Sequence, residues 1–327
     1  MTSLTKMALA FAGILACACA SAGALAQAYP SKPLRIIVPT SPSGAYDTVA
    51  RGLAIPMSVA LGQPIVIDNR AAAGGIVGME VIARAPADGY TVGITGVSQL
   101  TMHPSMYAKL PYDTRRDFTP ISMVVSLVSA LWLNTSFPAG NLQDFIAYAR
   151  ANPNKVNYGS AGIGHSFHLG SELLSERTGI SMTHIPYKGT APALQDLIGG
   201  RIQLMFYPPT APVIAQMKAG KLRALAMVGQ ARYKLLPDVP TFNEQGVKNM
   251  EVGGWAGLSG PAGLPRDIVA RLNKEVAQAM ALPDTVALYD KMGFVPATST
   301  PEQLAQKIDF ETTMWGSLIK RLDIKGE

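Results

Sequence analysis

Apolar and polar positions along this chain switch repeatedly between two periods. Leu34-Arg35-Ile36-Ile37-Val38 is a dense apolar run closed by Pro39, and it predicts a buried strand. A small-residue stretch follows, and then a helical pattern to about Leu61, with Asp47 as its cap and Gly62 as its stop. Pro64 to Asp68 predicts a second strand. Ala73-Gly74-Gly75 opens a helix from about Ile76 to Ala85, and the Asp88-Gly89 turn leads into a third strand, Tyr90 to Thr95. Strand, small-residue loop and helix in repetition are what a parallel sheet with crossover helices requires.

The run from Met123 to Leu133 is too long and apolar for an ordinary strand of one sheet, and it predicts a strand crossing into a second lobe. Asn141 then caps a helix whose Leu142, Phe145, Ile146 and Ala149 share one face. The alternation resumes with a strand from Lys155 to Tyr158, a helix from Leu169 to Arg177 and a strand from Met182 to Ile185. A short helix around Ala193 to Ile198 and strands Ile202 to Tyr207 and Leu222 to Val228 complete it. Near Trp255 to Pro261 the chain is expected back in the first lobe. Ile268, Leu272, Val276 and Met280 form a helical stripe there. Thr300-Pro301-Glu302-Gln303 is a capping box opening a last helix with inner face Leu304, Ile308, Trp315 and Leu318. The expectation is an α/β chain of two lobes, each a mostly parallel sheet flanked by helices. Residues 27–127 and 253–327 make the first lobe and 128–252 the second.

Composition agrees with that reading. The 327 residues exceed one ordinary core, and 48% hydrophobic against 15% charged suits a packed protein. The formal charge of +6 is spread thinly, with Arg115-Arg116 and Lys320-Arg321 as the adjacent basic pairs, so no stripe for nucleic acid exists. At the start, Lys6, the apolar run Met7 to Ala16 and Ala24-Leu25-Ala26 read as a secretory signal peptide over 1–26, cleaved after Ala26. Cys17 offers a lipid-anchor alternative, although Leu15-Ala16 before it is an indifferent match. Cys17 and Cys19, the two cysteines of the chain, leave with the leader. The mature protein then has no disulfide, thiol nucleophile or thiolate ligand.

Candidate chemistry gathers at two loops. Tyr158-Gly159-Ser160-Ala161-Gly162-Ile163-Gly164-His165-Ser166-Phe167-His168 joins a strand to a helix, and Pro39-Thr40-Ser41-Pro42-Ser43-Gly44-Ala45-Tyr46-Asp47 does the same near the start. Such loops present free backbone N–H groups at the positive end of a helix, a geometry that binds anions. The two are expected to face each other across a cleft around a small carboxylate. Gly164-His165-Ser166-Phe167-His168 resembles a nucleophile elbow with Ser166 as nucleophile. That secreted-hydrolase alternative is disfavoured, because Phe167-His168 stands where the tight turn needs glycine. His165 and His168 lack a third metal ligand at suitable spacing. Gly162-Ile163-Gly164 is a fragment of a dinucleotide fingerprint without its third glycine. No cofactor, metal or catalytic set is expected. Tyr46, Phe167, Tyr187 and Tyr207 lie at loop or strand ends, where ligands of open α/β sheets bind.

Taken together, Pro39-x-x-Pro42-x-Gly44-x-x-Asp47-x-x-Ala50-Arg51, Leu61-Gly62-Gln63-Pro64, Ala73-Gly74-Gly75 and Ala87-Asp88-Gly89-Tyr90-Thr91 resemble the periplasmic solute receptors of tripartite tricarboxylate transporters, also called Bug receptors. The likeness continues through Leu110-Pro111-Tyr112-Asp113, Ser160-Ala161-Gly162-x-Gly164, Pro186-Tyr187-Lys188-Gly189 and Pro237-Asp238-Val239-Pro240-Thr241. It implies a type II periplasmic-binding-protein fold, acting as a monomer, that closes on an organic anion and delivers it to a membrane transporter. The ligand set it implies is Ser43, Gly44, Ala45, Tyr46 and Asp47 in the first loop. In the second it is Ser160, Ala161, Gly164, His165 and Ser166, with Gly189, Thr190, Ala191 and Tyr207 nearby. Three departures stand out: Ser43 for the first glycine of Pro-Gly-Gly, His165 for serine and Tyr207 for aspartate. With an acid lost and rings added, the expected ligand is a mono- or dicarboxylate, with an aromatic acid preferred.

Overall fold

The computed structural model describes residues 29–326 except 43, 188, 230, 251 and 253, so the expected leader and Ser43 lie outside the described residues. The chain first lays down β1 (Leu34–Val38), α1 (Ala45–Leu61), β2 (Ile65–Asn69), α2 (Ile76–Ala83) and β3 (Thr91–Gly96). A π-helical turn over Ser98–Met102 leads to α3 (His103–Met106) and β4 (Phe118–Leu127). It then crosses to β5 (Ala130–Asn134), α4 (Leu142–Ala151), β6 (Asn157–Ser160), α5 (Ser166–Thr178), β7 (Thr183–Pro186), α6 (Thr190–Ile198), β8 (Leu204–Tyr207), α7 (Ala211–Lys218) and β9 (Leu222–Met227). It returns as β10 (Gly254–Pro261), α8 (Arg266–Ala281), α9 (Pro283–Asp290), β11 (Phe294–Pro296) and α10 (Pro301–Arg321).

The strands form two sheets, ordered β11-β4-β10-β3-β1-β2 and β7-β6-β8-β5-β9. In the first, β1 to β4 run one way, while β10 and β11 are antiparallel to their neighbours. In the second, β5 alone opposes the rest. Each sheet is thus mixed. The reason is the crossing itself: β5 and β10 enter from the other sheet, at the edge where the parallel strands end, so they must run backwards. The apolar run Met123 to Leu133 is not one strand. It breaks at Val128-Ser129 into the end of β4 and the whole of β5, in different sheets.

Period-two packing sets the core. Leu34, Ile36 and Val38 of β1 join Val49, Leu53 and Met57 of α1 on one face of the first sheet. Ile37 points to the other face, into a cluster that continues through Trp315 of α10 to the core of the second sheet. The Thr300 capping box forms as expected, with Gln303 N donating to Thr300 Oγ1 at 3.2 Å and Thr300 N donating to Gln303 Oε1 at 2.9 Å. Leu304, Ile308, Trp315 and Leu318 are buried beneath it. Asn141 caps α4 by accepting from Asp144 N at 2.9 Å. At the return crossing, Trp255 donates to Glu311 of α10 at 2.7 Å, and Lys307 pairs with the same carboxylate at 2.6 Å. Among the described residues no helix is long and apolar enough to cross a membrane.

Candidate functional site

β4 and β5 are separated by only two residues and lie in different sheets, so the carboxyl end of β4 marks the boundary between the sheets. β1 and β3 run in the same direction as β4 and end on the same side. The loops after them face the second sheet, the position at which open α/β sheets bind ligands.

The first loop turns into α1 at Gly44, whose extended backbone (φ −75°, ψ 172°) makes it the N-cap. Asp47 therefore is not the cap: it sits in the first turn, buried, with its carboxylate accepting from Arg51 Nε at 2.9 Å and Asn69 Nδ2 at 3.0 Å. Asn69 also donates to the Thr40 carbonyl at 3.0 Å. This network fixes the loop from beneath and leaves first-turn N–H groups without intrahelical partners, since a helix start has no carbonyls four residues back to satisfy them. Tyr46 likewise does not line the cleft with its ring. The ring is buried in the core of the first lobe over Gly96, and its hydroxyl donates to the Trp255 carbonyl at 3.4 Å; burial raises its pKa. Its backbone remains at the loop. Ala45, beside it, is exposed.

β6 runs to Ser160, two residues beyond the strand end that the periodicity indicates, so the second loop begins inside it. Ser160 is fully buried, and its hydroxyl is spent within the protein: it donates to the Gly162 carbonyl at 2.9 Å and accepts from Gly162 N at 3.2 Å. His184 Nε2 lies 2.7 Å from the same oxygen. A hydroxyl has one proton, so donation to Gly162 leaves His184 to carry its proton on Nε2. Ser160 thus shapes the loop rather than offering a donor to a ligand. Gly164 has φ +74°, and a Cβ there would come within 2.0 Å of Met106 Cε, so only glycine lets this loop lie against α3 of the other lobe. Ala161 is half-buried beside it.

His165, not a residue further on, is the N-cap of α5, accepting from Phe167 N through Nδ1 at 3.2 Å. Burial lowers its pKa to about 4, so the ring is neutral at pH 7. Ser166 follows at the first helical position, half-buried, and among the described residues its hydroxyl makes no hydrogen bond. No base touches it: His165 and His168 both use Nδ1 to accept backbone N–H groups, His168 from Gly164 at 3.0 Å. A hydrolytic nucleophile needs a hydrogen-bonded base, and this serine lacks that arrangement. Beneath the loop, His168 stacks on His184 at 3.9 Å and His184 on Tyr158 at 4.9 Å.

On the far side, Gly189 (φ 115°, ψ 169°) is the N-cap of α6, with Thr190 half-buried and Ala191 exposed in its first turn. Tyr207 ends β8, half-buried, with its ring 6.3 Å from Phe167; Phe167 in turn meets His165 edge-on at 4.8 Å. His165, Phe167 and Tyr207 therefore form one aromatic run, which Tyr46 in the first-lobe core does not join. Tyr187 spends its hydroxyl on Asp196 at 2.8 Å. Two further polar groups on the first-lobe side escape the sequence reading: the hydroxyl of Thr40 and the amide of Gln99, three residues beyond β3. The signal was available, because both follow strand carboxyl ends as the two loops do. Among the described residues no cluster of three or more His, Cys, Asp or Glu could hold a metal.

Residues 49–324 match the model of the tripartite tricarboxylate transporter family receptor. A Pseudomonas sp. (strain P51) protein encoded in the tcbD-tcbE intergenic region is 38% identical over 294 residues, 90% of this chain and 87% of that one. BugT of Bordetella pertussis is 34% identical over 325 residues, 99% of both chains. Among solved structures, an R. palustris protein with adipate superposes with a TM-score of 0.76 at 32% identity, covering 89% of this chain and 97% of that one. MatC from Rhodopseudomonas palustris with bound malate gives 0.72 at 31%, covering 89% and 100%.

Proposed function

Because the chain belongs to the tripartite tricarboxylate transporter receptor family, we propose that it captures a small organic carboxylate between two lobes and hands it to a membrane transporter of that type. The lobes are residues 27–127 with 253–327, and 128–252. The protein works in the periplasm after loss of its leader, as a monomer, and performs no chemistry on its cargo.

The observation that carries this reading is the pair of strand-to-helix loops at the sheet boundary. The first offers the N–H groups of Ala45 and Tyr46, since Gly44 N already donates to the Ser41 carbonyl at 3.2 Å. The second offers the unbonded hydroxyl of Ser166 at the start of α5. Neutral donors and two helix dipoles bind one carboxylate well. Adipate and malate in the two related structures are both dicarboxylates, in keeping with that class. The aromatic run His165, Phe167 and Tyr207 supports a flat acid as the preferred cargo, since offset ring contacts add about 0.5–1.5 kcal/mol each. A tricarboxylate would leave charges without cationic partners, which is costly.

The test is a thermal-shift and calorimetric panel of benzoate-type acids, C4 to C6 dicarboxylates, citrate and glutamate. A ligand at about a hundred times its Kd stabilises the fold by about 2.7 kcal/mol. Absence of any shift at millimolar concentrations across the panel would refute carboxylate capture. If citrate or glutamate binds best, the ligand class is wrong while the receptor stands.

A further inference from the structure

Seven buried side-chain polar atoms lack a hydrogen-bond partner among the described residues, and three of them, Thr40 Oγ1, Gln99 Oε1 and Ser129 Oγ, follow the carboxyl ends of β1, β3 and β4. A buried acceptor or hydroxyl without a partner is costly, so such groups collect where something else completes them. Three at the same end of one sheet, at the boundary with the other lobe, point to a bound molecule rather than to scattered packing faults.

Gln99 is the most informative. It is 5% exposed, and its backbone carbonyl accepts from the Tyr112 hydroxyl at 2.8 Å, which holds the π-helical turn in place. The amide orientation is fixed by chemistry. Its nitrogen lies 3.4 Å from the Gly74 carbonyl, which can only accept, so the oxygen is the end left open. The amide is wedged against Gly75, where an added Cβ would fall 3.2 Å from Nε2 and 2.6 Å from the Pro39 carbonyl. Gln99 therefore borders the start of the first anion loop. Thr40 belongs to that loop: a Cβ on Gly44 would sit 3.6 Å from its hydroxyl oxygen.

We infer that Gln99 and Thr40 form a second polar subsite on the first-lobe wall, one that recognises a hydroxyl group carried by the bound carboxylate. The inference rests on the carboxylate-receptor reading above. An amide oxygen demands a donor, which a carboxylate does not have, so this is not a second anion site. An ammonium would need a carboxylate partner, and Asp47, the acid of this wall, is committed to Arg51 and Asn69. A neutral O–H meets both groups: it donates to Gln99 Oε1 and accepts from Thr40. The cargo class this selects is a hydroxy acid over its deoxy counterpart.

Calorimetry on the full mature chain with the matched pairs lactate and propionate, malate and succinate, and 4-hydroxybenzoate and benzoate tests it. In the wild type at least one hydroxylated acid binds about tenfold more tightly than its partner, the worth of one well-made hydrogen bond. Gln99→Met brings that ratio near one. Thr40→Val, which removes one hydroxyl at constant volume, lowers the ratio too and serves alone if Gln99→Met does not fold. Equal affinities within every binding pair, or a ratio that survives in both variants, overturns the subsite. Failure of all six acids to bind the wild type overturns the subsite, and the receptor reading falls with it only if the wider acid panel is silent as well.

Discussion

Acid should loosen the second loop, and His168 is the residue through which it acts. The ring is 7% exposed, accepts from Gly164 N through Nδ1 and stacks at 3.9 Å on His184. Burial first, then the neighbouring imidazoles of His184 and His165, lower its pKa from 6.5 to about 4. Tyr158 completes the stack and carries Glu172 on its hydroxyl at 2.5 Å, so that carboxylate is already engaged. Below pH 6.5 the unfolded chain takes up a proton on this histidine that the folded protein refuses until about pH 4. Stability is therefore complete above 6.5 and falls as pH drops through that window. At about 1.36 kcal/mol per pH unit, lowering the pH from 6.5 to 5 costs about 2 kcal/mol through His168 alone. His168→Asn keeps an acceptor for Gly164 N and removes the titration. Urea unfolding at pH 7 and pH 5, at matched ionic strength, should show the wild type losing about 2 kcal/mol more than the variant. Equal losses in the two proteins would refute the reasoning, since the pH dependence would then arise elsewhere.

The two loop serines should separate function from fold. Ser166→Ala removes a hydroxyl with no protein partner and should weaken carboxylate binding about ten- to hundredfold with an unchanged melting temperature. Ser160→Ala breaks the bonds to Gly162 and His184 and should cost about 1–3 kcal/mol of stability; calorimetry and thermal melts of both variants check this, and the reverse pattern would exchange their roles. Gly96→Ala puts a Cβ 1.8 Å from the Tyr46 hydroxyl and 2.8 Å from the Trp255 carbonyl, so urea unfolding should show a loss of about 1–3 kcal/mol or more, and a neutral result would mean that Tyr46 is not seated there. Ligand should draw the two lobes together about the crossing at 128–129 and the return into β10, and small-angle scattering should register a smaller radius of gyration at saturation, identical curves indicating a rigid pocket.

Local chemistry was enough to read several parts of this protein. The capping box at Thr300, the Asn141 cap, the Gly62 stop and the buried run of β1 all depend on residues within one turn or one strand, and each lies where the sequence indicates. The two strand-to-helix loops were legible for the same reason, because small residues between an apolar strand and a helical stripe specify a turn that exposes backbone N–H groups, and the binding of an anion there is a proposal. What needed the tertiary structure is the direction and partner of each side chain. A tyrosine after a glycine-rich turn can face solvent, ligand or core, and the absence of a side chain at Gly96, fifty residues on, sends Tyr46 into the core. Ser160 loses its hydroxyl to His184 across two parallel strands, a pairing set by register and not by any local pattern. The insertion of β10 between β3 and β4, and the division of one apolar run between two sheets, follow from where the chain crosses. Periodicity reports which side of an element is apolar. It carries no record of which distant element covers that side, and so the fold class was in the sequence while the inner wall of the cleft was decided by packing.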